Sequence, residues 1–279
     1  MRQTLAVTIA VLLATAMGTA QRATGPAPQT TSPAQQAANP AQQAANPAQQ
    51  AANTAQQKVP DLSGYWGPGR GAKPDNERVK QLPPNTVVLN DGGAAEFPVN
   101  EYGGLKVKPA ALAAAKTWKA EDDMSISKVC QPPSIVYAMQ GPFPMEIHQA
   151  TQLIVLKLEY YDMVRIVFMD GRPHPDKVPH SKVGHSIGRW EGSTLVVDTV
   201  KLSESTITNN GLNHSDRVHM VERFWLSADG RTLFALQEFE DPEVLDNRGA
   251  RFMAWDRVPG EFVLPYECDP SFALNYSKP

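Results

Sequence analysis

Residues Gly184–Thr199 read GHSIGRWEGSTLVVDT, and two folds compete for them. GHSIG is a literal Gly-x-Ser-x-Gly. In a hydrolase elbow that pattern needs a buried strand before the serine, a helix after it, and the partner acid and histidine later in the chain. The neighbours argue otherwise. KVPHSKV (Lys177–Val183) is broken by proline and polar residues, as a loop is. After the motif, SIGRW and STLVVDTVKL flank Glu191-Gly192, a pair of hairpin-turn composition. No alternating strand–helix pattern occurs anywhere to build a parallel sheet. The stretch is therefore expected to be a β-hairpin, with Gly184 and Gly188 serving turn geometry at a strand entry and Ser186 no nucleophile.

The same grammar extends in both directions. IVYAM, MEIHQ, QLIVLKLEY and MVRIVFM precede the hairpin; RVHMVERFWL and TLFALQEFE flank SADGR, another hairpin; ARFMAWDR and EFVLPY follow. Eight to ten short strands are expected, with little helix between them. A sheet that long closes on itself or splits into a sandwich, because open edges invite aggregation. Upstream, DLSGYWGPG (Asp61–Gly69) has the form of an entry strand, residues 70–108 of loop, and Pro109–Asp122 of one helix, with proline in its first turn.

Two resemblances enter here. Gly64-Tyr65-Trp66, followed by a meander, resembles the G-x-W entry strand of lipocalin-like (calycin) barrels; that likeness implies an arginine from a late strand packed on Trp66, Arg251 or Arg257. The run from DGRPHP through GHSIGRWEGSTLVVDT to HMVERF is similar to a group of exported, uncharacterised bacterial proteins, a likeness that carries no activity with it. The expected fold is mainly β, an antiparallel meander closing into a lipocalin-like barrel with one short helix.

The N-terminus sets the compartment. Residues 1–20 have Arg2, an apolar run from Leu5 to Met17 and small residues at Gly18 and Ala20, the layout of a cleaved secretory signal. No cysteine precedes Cys130, so no lipidated cysteine follows that signal. Residues 21–58 carry PAQQAAN three times over Pro33–Asn53. Its only apolar residue is alanine and each unit has a proline, so a disordered spacer is expected rather than a coiled coil. Residues 59–279 are expected to form one barrel-like domain, periplasmic or secreted. Cys130 and Cys268 are the only cysteines. An oxidising compartment pairs them, which restricts the unfolded chain by about 4–5 kcal/mol in the loop-entropy account. The net charge of −3 makes no case for nucleic acid or an anionic membrane, and no integral membrane segment is expected after signal cleavage.

The chemistry-bearing residues are fewer. Of six histidines, His174, His180 and His185 fall in one loop and His214 and His219 close together downstream. Spacings of five suit neither a helix pair nor one face of a strand. The set could serve a transition metal, acid–base work or structure. On the strand Arg217–Leu226, period two puts Met220, Glu222 and Phe224 on one face and His219, Arg223 and Trp225 on the other. Glu222 would then be a carboxylate inside the barrel, either a ligand-binding or proton-donating acid or half of a salt bridge to Arg165 or Arg251. His174, His185, His219 and Glu222 are the candidate catalytic residues; Arg172, Arg223 and Trp225 are the candidate ligand contacts, Arg172 and His174 standing at a barrel mouth. The leading expectation is a barrel whose interior or mouth holds a small apolar or amphipathic molecule. The rivals are an enzyme of lyase, isomerase or hydrolase type, cofactor-independent or metal-assisted, and a structural envelope protein. There is no Gly-rich phosphate loop and no Cys-x-x-Cys-His, so nucleotide, flavin and haem are not indicated; metal and cofactor are otherwise open.

Overall fold

A computed structural model describes residues 59–69, 74–91 and 96–276. The secretory signal and spacer expected over residues 1–58 lie outside them.

Twelve strands occur among the described residues: β1 (Gly64–Pro68), β2 (Thr86–Val88), β3 (Met145–Gln149), β4 (Leu153–Leu158), β5 (Val164–Phe168), β6 (His185–Glu191), β7 (Thr194–Val200), β8 (Ser205–Thr208), β9 (Leu212–His214), β10 (His219–Leu226), β11 (Thr232–Glu240) and β12 (Arg248–Arg257). Nine of them close a barrel in the order β1-β3-β4-β5-β6-β7-β10-β11-β12, with β12 pairing back to β1. β2 adds in parallel to β12, and β8–β9 is a separate hairpin. One barrel pair departs from the expected meander: β5 and β6 run parallel. The reason is the long loop between them, which carries the chain back across the outer wall before β6 begins.

The deciding stretch is a hairpin. Glu191 pairs with Thr194, which makes Gly192-Ser193 the turn, one residue beyond the expected pair. Gly184, at φ +62°, does turn the chain, and a Cβ there would meet the Val200 carbonyl oxygen at 2.6 Å. Gly188 has a different duty. It lies inside β6, where a Cβ would fall 2.5 Å from Met169 Sδ and 2.7 Å from Val167 Cγ1. Ser186 is buried, with its Oγ bonded to Arg165 Nε (3.1 Å) and Thr199 Oγ1 (2.9 Å).

Other expectations need correction. Ile135–Ala138 is a helical turn, not a strand; a short apolar run has no periodicity to choose between the two, and here it plugs one barrel end. The helix from Pro109 stops at Ala115, and Glu261–Tyr266 forms no strand. β2, β8 and β9 were not legible.

The period-two faces hold. Side chains from alternate positions of every barrel strand fill the interior. Trp66, Met145, Phe224, Phe239, Arg165 and Arg251 are each under 2 % exposed. On the outside, the chain from Glu77 to Leu89 covers β10–β12. There Leu82 and Val88 pack with Trp225, Leu236 and Ala250, and Arg78 lies 4.0 Å over the Trp225 ring.

Three arginines divide three duties. Arg257 packs on Trp66 at 4.2 Å and donates to the Ser63 and Asp61 carbonyls (2.6 and 3.0 Å), the partnership implied by the G-x-W likeness. Arg165 is the partner of Glu222. Arg251 pins the loops that close one end: it forks onto Asp91 (2.8–3.1 Å) and donates to the carbonyls of Val136 and Ile207.

Candidate functional site

The expected catalytic set divides between two sides of the wall. Glu222 faces inward on β10, wholly buried and paired to Arg165, which also donates to Thr199 Oγ1 at 2.8 Å. His219 is on the outer face of the same strand. His185 is outward on β6 and Asp198 outward on β7, and the loop after β5 lays His174 over both. Two of the histidines, His174 and His219, converge on Asp198 rather than on Glu222, and His185 joins them through His174.

The geometry is a row of hydrogen bonds. His174 Nδ1 is 2.8 Å from His185 Nδ1; His174 Nε2 and His219 Nε2 are 3.0 and 3.1 Å from the same Asp198 Oδ1; His219 Nδ1 is 3.5 Å from Glu240 Oε1. Burial works to raise the Asp198 carboxyl, but the bonds from His219 and His174 outweigh it and hold it below the usual range. Asp198 is therefore an anion that only accepts, and both Nε2 atoms must carry hydrogen. A neutral His174 then accepts at Nδ1 from His185, which leaves the His185 Nε2 lone pair free. His219 is pushed up, chiefly by its bond to Asp198 and against burial; His185 is pushed down, by burial first and then by His174 and Arg172. One end of the row favours a cation and the other a neutral base. Among the described residues no group of three or more His, Cys, Asp or Glu is placed to hold a metal ion.

The expected ligand contacts stay outside as well. Arg172 forks onto Asp170 (2.8 and 3.0 Å) and lies 3.9 Å over Phe168, which also stacks on the His185 ring at 5.2 Å. Arg223 approaches Glu238 at 3.9 Å, and Trp225 is covered by Arg78. A recess of about 370 Å³ beside His219 is lined by Arg217, Glu240, Arg248 and Asn247 among others.

The larger concavity was not anticipated. A cleft of about 950 Å³ opens at the barrel end where β4 turns into β5 and β7 leaves into the β8–β9 hairpin. One wall is Trp118 and the chain from Asp123 to Pro133; another is Glu204–Asn213 of the hairpin region; Tyr160, Tyr161 and Tyr266 form a third, and Tyr137 and Lys182 line it too. The tyrosines are mutually packed, with Tyr161 4.6 Å from Tyr160 and 4.7 Å from Tyr266, and Tyr161 Oη donates to the Val129 carbonyl at 2.8 Å. Cys130 and Cys268 are bonded, as expected, and tie the first wall to the chain that carries Tyr266. Burial pushes the Tyr137 phenol up to about 12 and raises Tyr160, Tyr161 and Tyr266 as well, so these hydroxyls stay neutral.

A serine–histidine contact also exists. Ser134 Oγ donates to His214 Nε2 at 2.6 Å, because His214 Nδ1 is committed to the Ser215 carbonyl at 2.8 Å. Both residues are wholly buried, and burial pushes His214 down to about 4. The pair holds the end plug to β9 and presents no accessible nucleophile.

The one sequence signal for the cleft was the Tyr160-Tyr161-Asp162 corner. Tyr161 and Asp162 have φ of 55° and 52°, the backbone of a hairpin turn that favours Asn-Gly. A bulky ring there costs about 1–3 kcal/mol and persists only where its surroundings hold it.

Compared with protein families, curated proteins and solved structures, the chain matches none of them. The closed barrel agrees with a barrel likeness, but nine strands and a parallel pair differ from the eight-stranded up-and-down lipocalin form. No family membership follows.

Proposed function

We propose that this is an exported β-barrel protein that binds a small amphipathic molecule in the cleft at the barrel end. The observation that carries the reading is the cleft itself: about 950 Å³, tyrosine-lined and laced by a disulfide. That volume suits a small-molecule site, and a fixed wall lowers the ordering cost of binding. Of the two places the sequence left open, interior and mouth, the side chains buried along the interior rows favour the mouth. Export rests on the signal-like N-terminus and the paired cysteines. The test is Trp118 fluorescence, because no other tryptophan lines the cleft. Saturable change with a small-molecule panel, lost in Trp118→Phe, is expected; binding that persists unchanged in Tyr161→Ala and Tyr266→Ala would place the site elsewhere.

A second reading is proton transfer at the outer wall, favoured by the opposite shifts of His219 and His185 at the two ends of one hydrogen-bonded row. It predicts turnover of activated esters or solvent exchange of enolisable carbonyl compounds, abolished by Asp198→Asn. Failure of the wild-type protein on both panels would remove it.

A further inference from the structure

We infer that the end cleft takes a neutral saccharide, a ring-bearing ligand whose polar groups are hydroxyls; the inference rests on the cleft being the binding site proposed above.

Charge comes first. Asp123, Glu204 and Asp269 face the cleft together with Lys128 and Lys182, and no guanidinium lines it among the described residues. Carboxylates and phosphates are recognised by forked donors, arginine above all, and an anion here would lie among three carboxylates. The two lysines bring the opposite sign, and Lys182 is already bonded to the Glu204 carbonyl at 2.8 Å. A ligand without net charge meets neither penalty.

The polar lining argues next against a wholly apolar guest. Thr206 and Asn213 line it with a hydroxyl and an amide, Ser205 Oγ and Asn209 Nδ2 being already bonded to the Ser134 N–H and to Glu96, and the phenols of Tyr137 and Tyr160 stay protonated. An acyl chain or a bare aromatic would strip water from these groups and return no hydrogen bond, which is how sites built around polar groups reject apolar analogues. Hydroxyls both donate and accept, so they answer carboxylate, amide and phenol alike.

The rings supply the remaining requirement. Trp118, Tyr160, Tyr161 and Tyr266 bring aromatic rings to that lining, Tyr160 with one face stacked on Phe143 at 4.4 Å. A pyranose carries C–H groups on its faces and hydroxyls around its edge, the same division in the ligand. Tyr161 is kept in a left-handed backbone conformation at this wall, which points to a ring being wanted there.

The test is calorimetric titration of the signal-free protein with maltotriose, cellotriose and chitotriose, with laurate and 2-naphthoate as the contrasting probes, each repeated by Trp118 fluorescence. At least one trisaccharide is expected to bind saturably, with at least tenfold loss of affinity in Tyr161→Ala and in Asn213→Ala, the latter leaving the ring wall intact. If laurate or naphthoate binds at Trp118 while all three trisaccharides are silent, the saccharide assignment is overturned and cleft binding stands. If none of the five alters the heat or the fluorescence, the saccharide assignment is likewise overturned, and cleft binding loses its support with it. Unchanged saccharide affinity in both variants overturns the placement in the cleft.

Discussion

The Nδ1 atoms of His174 and His185 stand 2.8 Å apart, a contact that exists only while one of the two is unprotonated there. Around the pair lie Arg172, Asp170, Phe168, Asp198 and, through Asp198, His219 and Glu240. The fold favours neutral His185, so its contribution is intact above the ordinary histidine value of 6.5 and declines as pH falls below it. The protection factors of the loop 169–184, the exchange rates corrected for the intrinsic slowing of amide exchange in acid, should therefore be lower at pH 5 than at pH 7.5. His185→Gln should flatten that difference.

His214 has the same sign and a larger effect. Its folded value of about 4 lies below 6.5, so the unfolded chain binds the extra proton as pH falls between them. Stability should drop by about 3 kcal/mol over that interval. Thermal melts from pH 7 to pH 4 read the slope, and His214→Gln should remove most of it. His219 runs the other way: its contribution is full below 6.5 and fades as pH rises through its raised value.

Asp198→Asn takes away the anion that two imidazoles share. His219 should then titrate closer to the ordinary histidine range, since its upward shift comes first from that bond. Nitrogen-15 NMR of the imidazoles reports both the titration and the tautomers; an unchanged His219 titration would contradict the assignment.

Glu222 and Arg165 are a fully buried ion pair. Glu222→Leu or Arg165→Met alone should destabilise the protein by about 3–5 kcal/mol, because each leaves an unpaired buried charge. The double variant should recover much of that loss. Denaturant unfolding of the three variants gives the cycle.

Replacing both cysteines, Cys130→Ser with Cys268→Ser, should lower stability by about 4–5 kcal/mol. It should also weaken any cleft ligand, because the bond ties two of the cleft's walls. Melts and titrations of the same variant separate the two effects.

Much of the barrel was legible because strand alternation is a local signal. The faces of β10, the hairpin around SADGR and the span of β11 follow from period two and turn chemistry alone. The parallel β5–β6 pair was not, since nothing in a proline-rich loop says which way it brings the chain back. The Glu222 partner was narrowed to Arg165 or Arg251 by charge, and tertiary placement chose Arg165. The cleft was illegible for a different reason: its walls come from five separated segments, each polar or aromatic without a period of its own.

By itself, then, the sequence determined the local alternatives: a hairpin rather than an elbow at GHSIG, an inward Glu222 with an outward His219, and a cysteine pair to be joined. Tertiary structure alone decided which side of the wall each group shares with which. His174 and His219 meet at Asp198, with His185 joined through His174, because a loop folds back over the outer face; the tyrosines meet at the mouth where the chain after β12 is laced to the segment before β3. Face is a period within one strand; neighbourhood depends on barrel closure and on how loops return, which no local pattern encodes.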